Sequence, residues 1–133
     1  MEQTTGNLSD IVLQCNDISK EFDSFDNSGK NQVLSHIDLS VKKNEFLVLF
    51  GPGQCGKTTL LNILAGLELP TSGTVSAPQK PVTAPAPQRG VVYQRTALFP
   101  WLTVMGNVEF GPKMRGMGKK ERRGIANYYI DLV

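Results

Sequence analysis

The sequence of 133 residues lacks any apolar run long enough to cross a membrane, and its first residues lack the basic and apolar segments of a signal peptide. Its two cysteines are too few for a disulfide framework, and its one histidine leaves no visible metal-binding cluster. These absences disfavour integral membrane proteins, disulfide-rich secreted proteins and zinc proteins. We expect a cytosolic chain without direct membrane insertion, whose link to a membrane is made through a partner.

The charges divide unevenly along the chain, although the formal net charge is only +2. Residues 1–76 carry five basic and nine acidic side chains, whereas residues 77–133 carry nine basic and three acidic ones. A basic half can indicate nucleic-acid binding, but this one has no interleaved aromatic residues and matches no nucleic-acid motif. We interpret the basic residues as a solvated helical face and expect no nucleic-acid partner.

The strongest positive signal is the segment Gly51-Pro-Gly-Gln-Cys-Gly-Lys-Thr-Thr59. It fits the phosphate-binding pattern of Gly, four residues and Gly-Lys-Ser/Thr. The apolar run at 45–50 predicts a buried strand before it, and residues 59–65 predict a helix after it that stops near Gly66. A purely structural Gly-rich turn is the alternative, but such a turn would not require Lys-Thr after the last glycine.

The residue types of this loop suit the binding of a nucleoside triphosphate. Its glycines permit positive φ and let backbone amides approach a ligand at a helix N-terminus. Lys57 would reach the β- and γ-phosphates, and the Thr58 hydroxyl would coordinate Mg²⁺. Cys55 is interpreted as a tolerated small residue rather than a nucleophile. The predicted binding residues are Gly51, Pro52, Gly53, Gln54, Cys55, Gly56, Lys57, Thr58 and Thr59.

The remaining patterns predict strands at 11–22, 32–41, 74–76 and 90–93, with a proline-rich loop at 77–88. Thr103 is expected to cap a helix that continues to about Met114, interrupted by Gly106 and by Gly111-Pro112. A last helix is predicted over 119–133. Its apolar face, expected to pack in the core, consists of Ile125, Tyr128, Tyr129 and Leu132.

From residue 12 to the end, the order of these motifs resembles the N-terminal half of the ATP-binding subunit of an ABC transporter. The stretch from Ala84 to Gln94 is similar to importers of the nitrate, sulfonate, taurine or bicarbonate type. The likeness rests on the loop and on Ile18-Ser-Lys-Glu-Phe22, Val33-Leu-Ser-His-Ile-Asp-Leu39, Glu45-Phe-Leu-Val-Leu-Phe-Gly-Pro52, Leu64-Ala-Gly-Leu67, Pro70-Thr-Ser-Gly73, Val91-Val-Tyr-Gln94, Ala97-Leu-Phe-Pro-Trp-Leu-Thr-Val104 and Asn107-Val-Glu-Phe-Gly111.

The resemblance implies an α/β fold with a P-loop NTPase core of the RecA-like type. Residues 11–44 would form an N-terminal antiparallel β subdomain, 45–96 the P-loop core, and 97–133 the start of a helical subdomain. Together these ranges would make residues 1–133 a partial nucleotide-binding domain whose C-terminal half is missing.

The resemblance also assigns roles to residues outside the loop, with ATP and Mg²⁺ as cofactors. Phe22 matches the aromatic residue that stacks on adenine; Phe25 is the alternative, and either ring could instead pack in the core. Gln94 matches the glutamine that contacts Mg²⁺ and the attacking water. The segment with Leu98, Phe99 and Trp101 matches the surface that faces the permease, with a locally packed aromatic cluster as the alternative.

This sequence departs from the family pattern in two ways. Gln54 stands where a small residue is usual. The family's signature motif, Walker B carboxylates, catalytic glutamate and switch histidine have no counterpart here, so we expect nucleotide binding at most, without hydrolysis. We interpret the chain as a fragment of marginal stability, because the strand at 45–50 would lack its neighbour.

The predicted function is therefore that of the ATP-binding subunit of an ABC importer, peripheral on the inner face of the cell membrane. Its partner would be the permease subunit, and the full-length family forms homodimers. A stand-alone ATP-binding or interaction module without hydrolysis is the alternative. Another P-loop kinase or GTPase fits less well, because it would leave Gln94 and the segment 99–101 unexplained. The transported solute is not readable from the sequence.

Overall fold

The computed structural model describes residues 10–24, 29–78, 80–95 and 97–133. Within these residues the elements are β1 (Ile11–Asp23), β2 (Lys30–Lys42), α1 (Lys57–Ala65), β3 (Ser72–Ser76), α2 (Val104–Met114) and α3 (Lys119–Asp131). The chain divides into two compact units, the first ending at Val91 and the second running from Val92 to Val133. None of the helices in the described ranges is long and apolar enough to cross a bilayer.

The first unit is built on an antiparallel sheet with the strand order β2-β1-β3. Cys15 in the central strand lies opposite Leu39 of β2 and Val75 of β3. The strands at 11–22 and 32–41 are confirmed, each slightly longer than predicted, and the strand at 74–76 begins earlier, at Ser72.

Helix α1 packs on this sheet through its buried residues Leu60 and Ile63. The buried cluster that they join also contains Cys15, Ile18, Leu34, Val75 and Val82. Burial, together with the negative charge of Asp38, raises the pKa of the Cys15 thiol to about 11. Gly66 ends the helix with φ of 81°, which confirms the predicted stop. The core therefore fixes α1, and with it the loop that precedes the helix.

The prediction of a buried strand at 45–50 is wrong. This segment has no strand structure, and the side chains of Phe46 and Phe50 are 91% and 98% exposed. A strand exists only where a neighbouring strand accepts and donates its backbone hydrogen bonds, and no such neighbour lies in the described part of the chain. The predicted strand at 90–93 is wrong for the same reason, and Val92 is fully exposed.

The second unit contains α2 and α3. An ion pair links the two helices, with 3.2 Å between Arg122 Nε and Glu109 Oε2. Helix α2 is continuous through Gly106 and Pro112, so the predicted interruptions are wrong. Pro112 leaves the carbonyl oxygen of Val108 without its usual backbone donor, and the helix ends two residues later, at Met114.

Helix α3 has the predicted position, but its apolar face does not pack as expected. Tyr128 and Tyr129 stack edge to face on each other and are both exposed, and Leu132 is exposed as well. Ala126 is the buried residue of the helix. The expectation of a core position for the tyrosines is therefore wrong: the helical spacing was correct, but the described residues offer this face no packing partner.

Candidate functional site

The predicted phosphate loop joins the segment 45–50 to α1. Gly56 is the N-cap of α1 and has φ of 90°, a conformation that favours glycine. A Cβ at this position would lie 2.8 Å from Leu34 Cδ2 and 2.9 Å from the carbonyl oxygen of Val33. The last glycine of the motif therefore lets the loop lie directly on β2, which sets the position of the helix N-terminus.

The first turn of α1 offers backbone donors to an anion. The first amides of any helix have no intrahelical acceptor. Because the N-cap is Gly56, no side chain caps them, and the first turn contains no acidic residue. The positive end of the helix dipole lies at the same point. This turn can therefore bind a phosphate group through its N–H groups, as the motif predicted.

Lys57 directs its ammonium group into the loop. Its Nζ donates to the carbonyl oxygen of Gly51 at 2.9 Å and to that of Pro52, and it contacts Cys55 Sγ at 3.3 Å. The loop thus closes around a positive charge whose present acceptors are weak neutral dipoles. A phosphate oxygen would be a stronger, charge-assisted acceptor for the same donor.

Gln54 adopts φ of 62°, in the left-handed region. Residues with a Cβ enter this region at a cost of about 1–2 kcal/mol, whereas glycine does not. The loop conformation therefore explains why a small residue is usual at this position, and it shows that glutamine is accommodated at the cost of strain.

The threonines after the lysine lie on the first turn of α1. Thr58 is exposed and Thr59 is half-buried. The described residues contain no cluster of three His, Cys, Asp or Glu side chains able to hold a metal ion. One hydroxyl ligand with phosphate oxygens and waters suits Mg²⁺, which rarely has a cage of protein ligands. Thr58 therefore fits an ion that arrives with the nucleotide.

Phe22 lies near the end of β1, opposite Asn31 of β2, and is 41% exposed. Lys20 Nζ lies 4.8 Å from the centroid of its ring and is also bonded to Glu68 Oε1 and to the carbonyl oxygen of Leu69. The ring is thus accessible and held from one side by a cation. The alternative residue, Phe25, lies outside the described residues.

Two cavities of the first unit do not coincide with the phosphate site. One, of about 720 Å³, lies under the proline-rich segment and contains no loop residue. The other, of about 330 Å³, borders the loop at Cys55, Gly56 and Lys57, but its remaining walls are apolar side chains, from buried Leu34 and Leu60 to exposed Phe50. The site predicted from the motif is an open loop, as a phosphate group with bound water requires, and not a deep apolar pocket.

The remaining predicted site residues belong to the second unit. Gln94 is exposed in an irregular segment. Leu98 and Trp101 are 65% and 76% exposed, whereas Phe99 is half-buried. The Phe99 ring lies 5.4 Å from that of Trp101 and 4.4 Å from that of Phe110. The segment is therefore an apolar surface anchored by one packed ring. It has features of both sequence interpretations, an exposed partner surface and a locally packed aromatic cluster.

Sequence reasoning missed two residues that support these positions. Lys20, near Phe22, was noted only within the family likeness, in the segment Ile18–Phe22, and was given no role. Asn107 was noted only as part of the family likeness, yet its carboxamide bonds to the backbone of Phe99, Leu102 and Thr103. A polar side chain four residues after a helix cap, between apolar neighbours, was the one available signal.

Comparison with known proteins agrees with the motif order. The family model described as ABC transporter matches residues 34–131, most of the chain. The nitrate import ATP-binding protein NrtD of Synechocystis sp. is 41% identical over 121 residues, which cover 91% of this chain and 45% of that protein. The taurine import ATP-binding protein TauB of Burkholderia thailandensis is 47% identical over 105 residues, or 79% and 40% of the two chains.

Solved structures show the same fold. A dimeric ATP-binding cassette in a post-hydrolysis state with ADP and Pi has a TM-score of 0.76 at 26% identity. The match covers 87% of this chain and 54% of that one. The predicted fold class, a P-loop core with an antiparallel β subdomain and the start of a helical subdomain, is thus confirmed. The chain spans less than half the length of the curated relatives named above.

Proposed function

This chain belongs to the ABC transporter family, and on that basis we propose that it binds MgATP as the ATP-binding subunit of an importer of the nitrate, sulfonate, taurine or bicarbonate type. The observation that carries the proposal is the loop itself. Lys57 Nζ donates to the carbonyl oxygens of Gly51 and Pro52 within the loop, and no side chain caps the first amides of α1. The family match gives no support to another P-loop kinase or GTPase.

Each predicted residue has a role in this proposal. The loop amides and Lys57 bind the β- and γ-phosphates, and Thr58 binds the Mg²⁺ that accompanies them. Phe22 stacks on adenine, and Gln94 contacts Mg²⁺ and the attacking water. MgATP supplies the phosphoanhydride whose binding and cleavage drive transport in a complete transporter. In this chain the residues bind and orient the nucleotide.

The partners proposed for the second unit follow from its exposed apolar surface. Leu98, Phe99 and Trp101 form the contact with a permease subunit, because large apolar side chains left in water usually mark an interface. The full-length protein forms a homodimer and lies on the inner face of the cell membrane through the permease. The ATP-binding cassette of the solved structure described above is dimeric.

Calorimetric titration with MgATP tests the proposal. The wild-type chain should bind, and Lys57→Ala should lose most of the affinity because the charge-assisted bond to phosphate is gone. Lys43→Ala removes the same charge from an exposed turn of the same unit and should bind as the wild type does. Equal MgATP affinity of Lys57→Ala and Lys43→Ala would show that Lys57 does not bind the nucleotide, and it would refute the proposal.

The role of Phe22 has its own test in the same titration. Phe22→Ala should weaken binding by about 1–3 kcal/mol, the usual contribution of one base stacked on an aromatic ring. Phe46→Ala is the matched control, since Phe46 is an exposed phenylalanine of the same unit to which no binding role is assigned. An unchanged affinity in Phe22→Ala would show that adenine stacks elsewhere.

A further inference from the structure

Asn107 occupies a position that the proposed function leaves without a role. It lies on the first turns of α2 and is half-buried. Its Oδ1 accepts from the amide of Phe99 at 2.8 Å. Its Nδ2 donates to the carbonyl oxygens of Phe99 and Leu102, both at 3.2 Å, and of Thr103 at 3.0 Å. One side chain thus bonds to the backbone of three residues that precede the helix.

The start of helix α2 does not need these bonds. Thr103 is the N-cap, and its hydroxyl accepts from the amide of Gly106 at 3.1 Å. The carboxamide of Asn107 points instead towards the preceding turn, which a backbone bond from Leu102 to Phe99 closes. The network therefore determines the shape of the segment 98–102 rather than the position of the helix end.

This shape keeps apolar side chains in water. With the backbone of Phe99 bonded to Asn107 and its ring packed on Phe110, the flanking Leu98 and Trp101 remain largely exposed. A flexible segment would bury part of this apolar area locally. Holding it outward is unfavourable in isolation, but it lowers the entropy cost of docking to a partner.

We propose that Asn107 is the positioning residue that holds the segment Leu98–Trp101 in its binding conformation. The identity of the docked partner, a permease, rests on the proposed function; the positioning itself does not. Both groups of the carboxamide are required, because the amide donates to carbonyl oxygens and the oxygen accepts from the Phe99 amide.

Trp101 is the only tryptophan of the chain, so its fluorescence anisotropy reports on this segment alone. Asn107→Asp keeps the size of the side chain but places a carboxylate against three carbonyl oxygens. An acidic residue in the first turns does not oppose the helix dipole, so α2 should persist. Circular dichroism checks that the helix content is retained.

In Asn107→Asp and Asn107→Ala the anisotropy should fall towards the value of the chain in denaturant, because the ring is released to fast side-chain motion. Asn127→Asp makes the same change on an exposed position of α3 and should leave the anisotropy unchanged. Wild-type anisotropy in Asn107→Asp with intact helix content would overturn the proposal, as would an equal loss in Asn127→Asp.

The same samples separate this inference from the proposed function. MgATP affinity should be equal in the wild type and Asn107→Asp, since the variant leaves the loop at 51–59 intact. A wild-type chain that fails to bind MgATP refutes the proposed function and leaves the anisotropy result standing. A lower MgATP affinity in Asn107→Asp would contradict a role limited to the segment Leu98–Trp101.

Discussion

Replacement of Gly56 by alanine should destabilise α1 and the loop before it. The residue has φ of 90°, which costs an alanine about 1–2 kcal/mol. Its methyl group would lie 2.9 Å from the Val33 carbonyl oxygen and 2.8 Å from Leu34 Cδ2. Because Val33 presents backbone, β2 itself must shift, and overpacking of this kind costs about 1–3 kcal/mol. The expected total is about 3 kcal/mol.

Hydrogen exchange of the α1 amides measures this loss directly. A destabilisation of about 3 kcal/mol corresponds to exchange about a hundredfold faster for amides that open with this helix. Gly53→Ala is the matched control, because Gly53 lies outside the left-handed region and a Cβ there has no heavy atom within 4 Å. Exchange in Gly56→Ala that matches Gly53→Ala would refute the close contact between the loop and β2.

Four further predictions concern the loop and the core. Gln54→Gly should raise the free energy of unfolding by about 0.5–1 kcal/mol in urea titrations, because relief of left-handed strain exceeds the added flexibility of the unfolded chain, whereas Gln54→Ala should bring no gain. Iodoacetamide at pH 8 should modify exposed Cys55 and spare buried Cys15 until the chain unfolds. Modification of both cysteines at equal rates would contradict the burial of Cys15 in the core. The fold raises the pKa of the Cys15 thiol from 9.0 to about 11. The protonated thiol therefore contributes about 2–3 kcal/mol to the free energy of unfolding below pH 9, and this contribution is lost as the pH rises through 11. Cys15→Ala should accordingly lose less stability than the wild type between pH 8 and 11. Finally, phosphate release from MgATP should stay at background for this chain, and turnover abolished by Lys57→Ala would contradict that expectation.

The parts of the fold that the sequence predicted are those with local causes. Gly66 ends α1 because it alone tolerates positive φ without strain, and Thr103 caps α2 through its own hydroxyl. The motif that contains Gly56 and Lys57 likewise predicts the backbone conformation of its own few residues, and the helix begins at Lys57. Such signals need no knowledge of distant residues, and the structure agrees with each of them.

Apart from the interruptions predicted in α2, the errors concern features that depend on distant partners. The apolar run at 45–50 has the composition of a buried strand, but burial requires neighbours that composition does not reveal. Tyr128 and Tyr129 have helical spacing, yet the surface against which a helix packs is a tertiary property. The left-handed φ of Gln54 and the four bonds of Asn107 were unpredictable for a related reason, since both depend on how a loop closes.

For the candidate site, the sequence names residues but does not give their geometry. The pattern named Lys57, whereas only the structure places its ammonium beside the carbonyl oxygens of Gly51 and Pro52. The pattern named Phe99 and Trp101 as one surface, whereas the structure separates a packed anchor from an exposed ring. These distinctions decide which substitutions should affect binding and which should affect folding.

The most direct test of nucleotide binding by the loop is a titration of the ¹⁵N-labelled chain with MgATP, followed through its amide chemical shifts. The largest shifts should fall on Gly53 to Thr59, whose amides face the proposed phosphate site, and should disappear in Lys57→Ala. Unshifted loop amides at saturating MgATP would contradict the proposal. So would shifts confined to the basic face of α3, at Lys119, Lys120 and Arg123, because that pattern would indicate anion binding by surface charge.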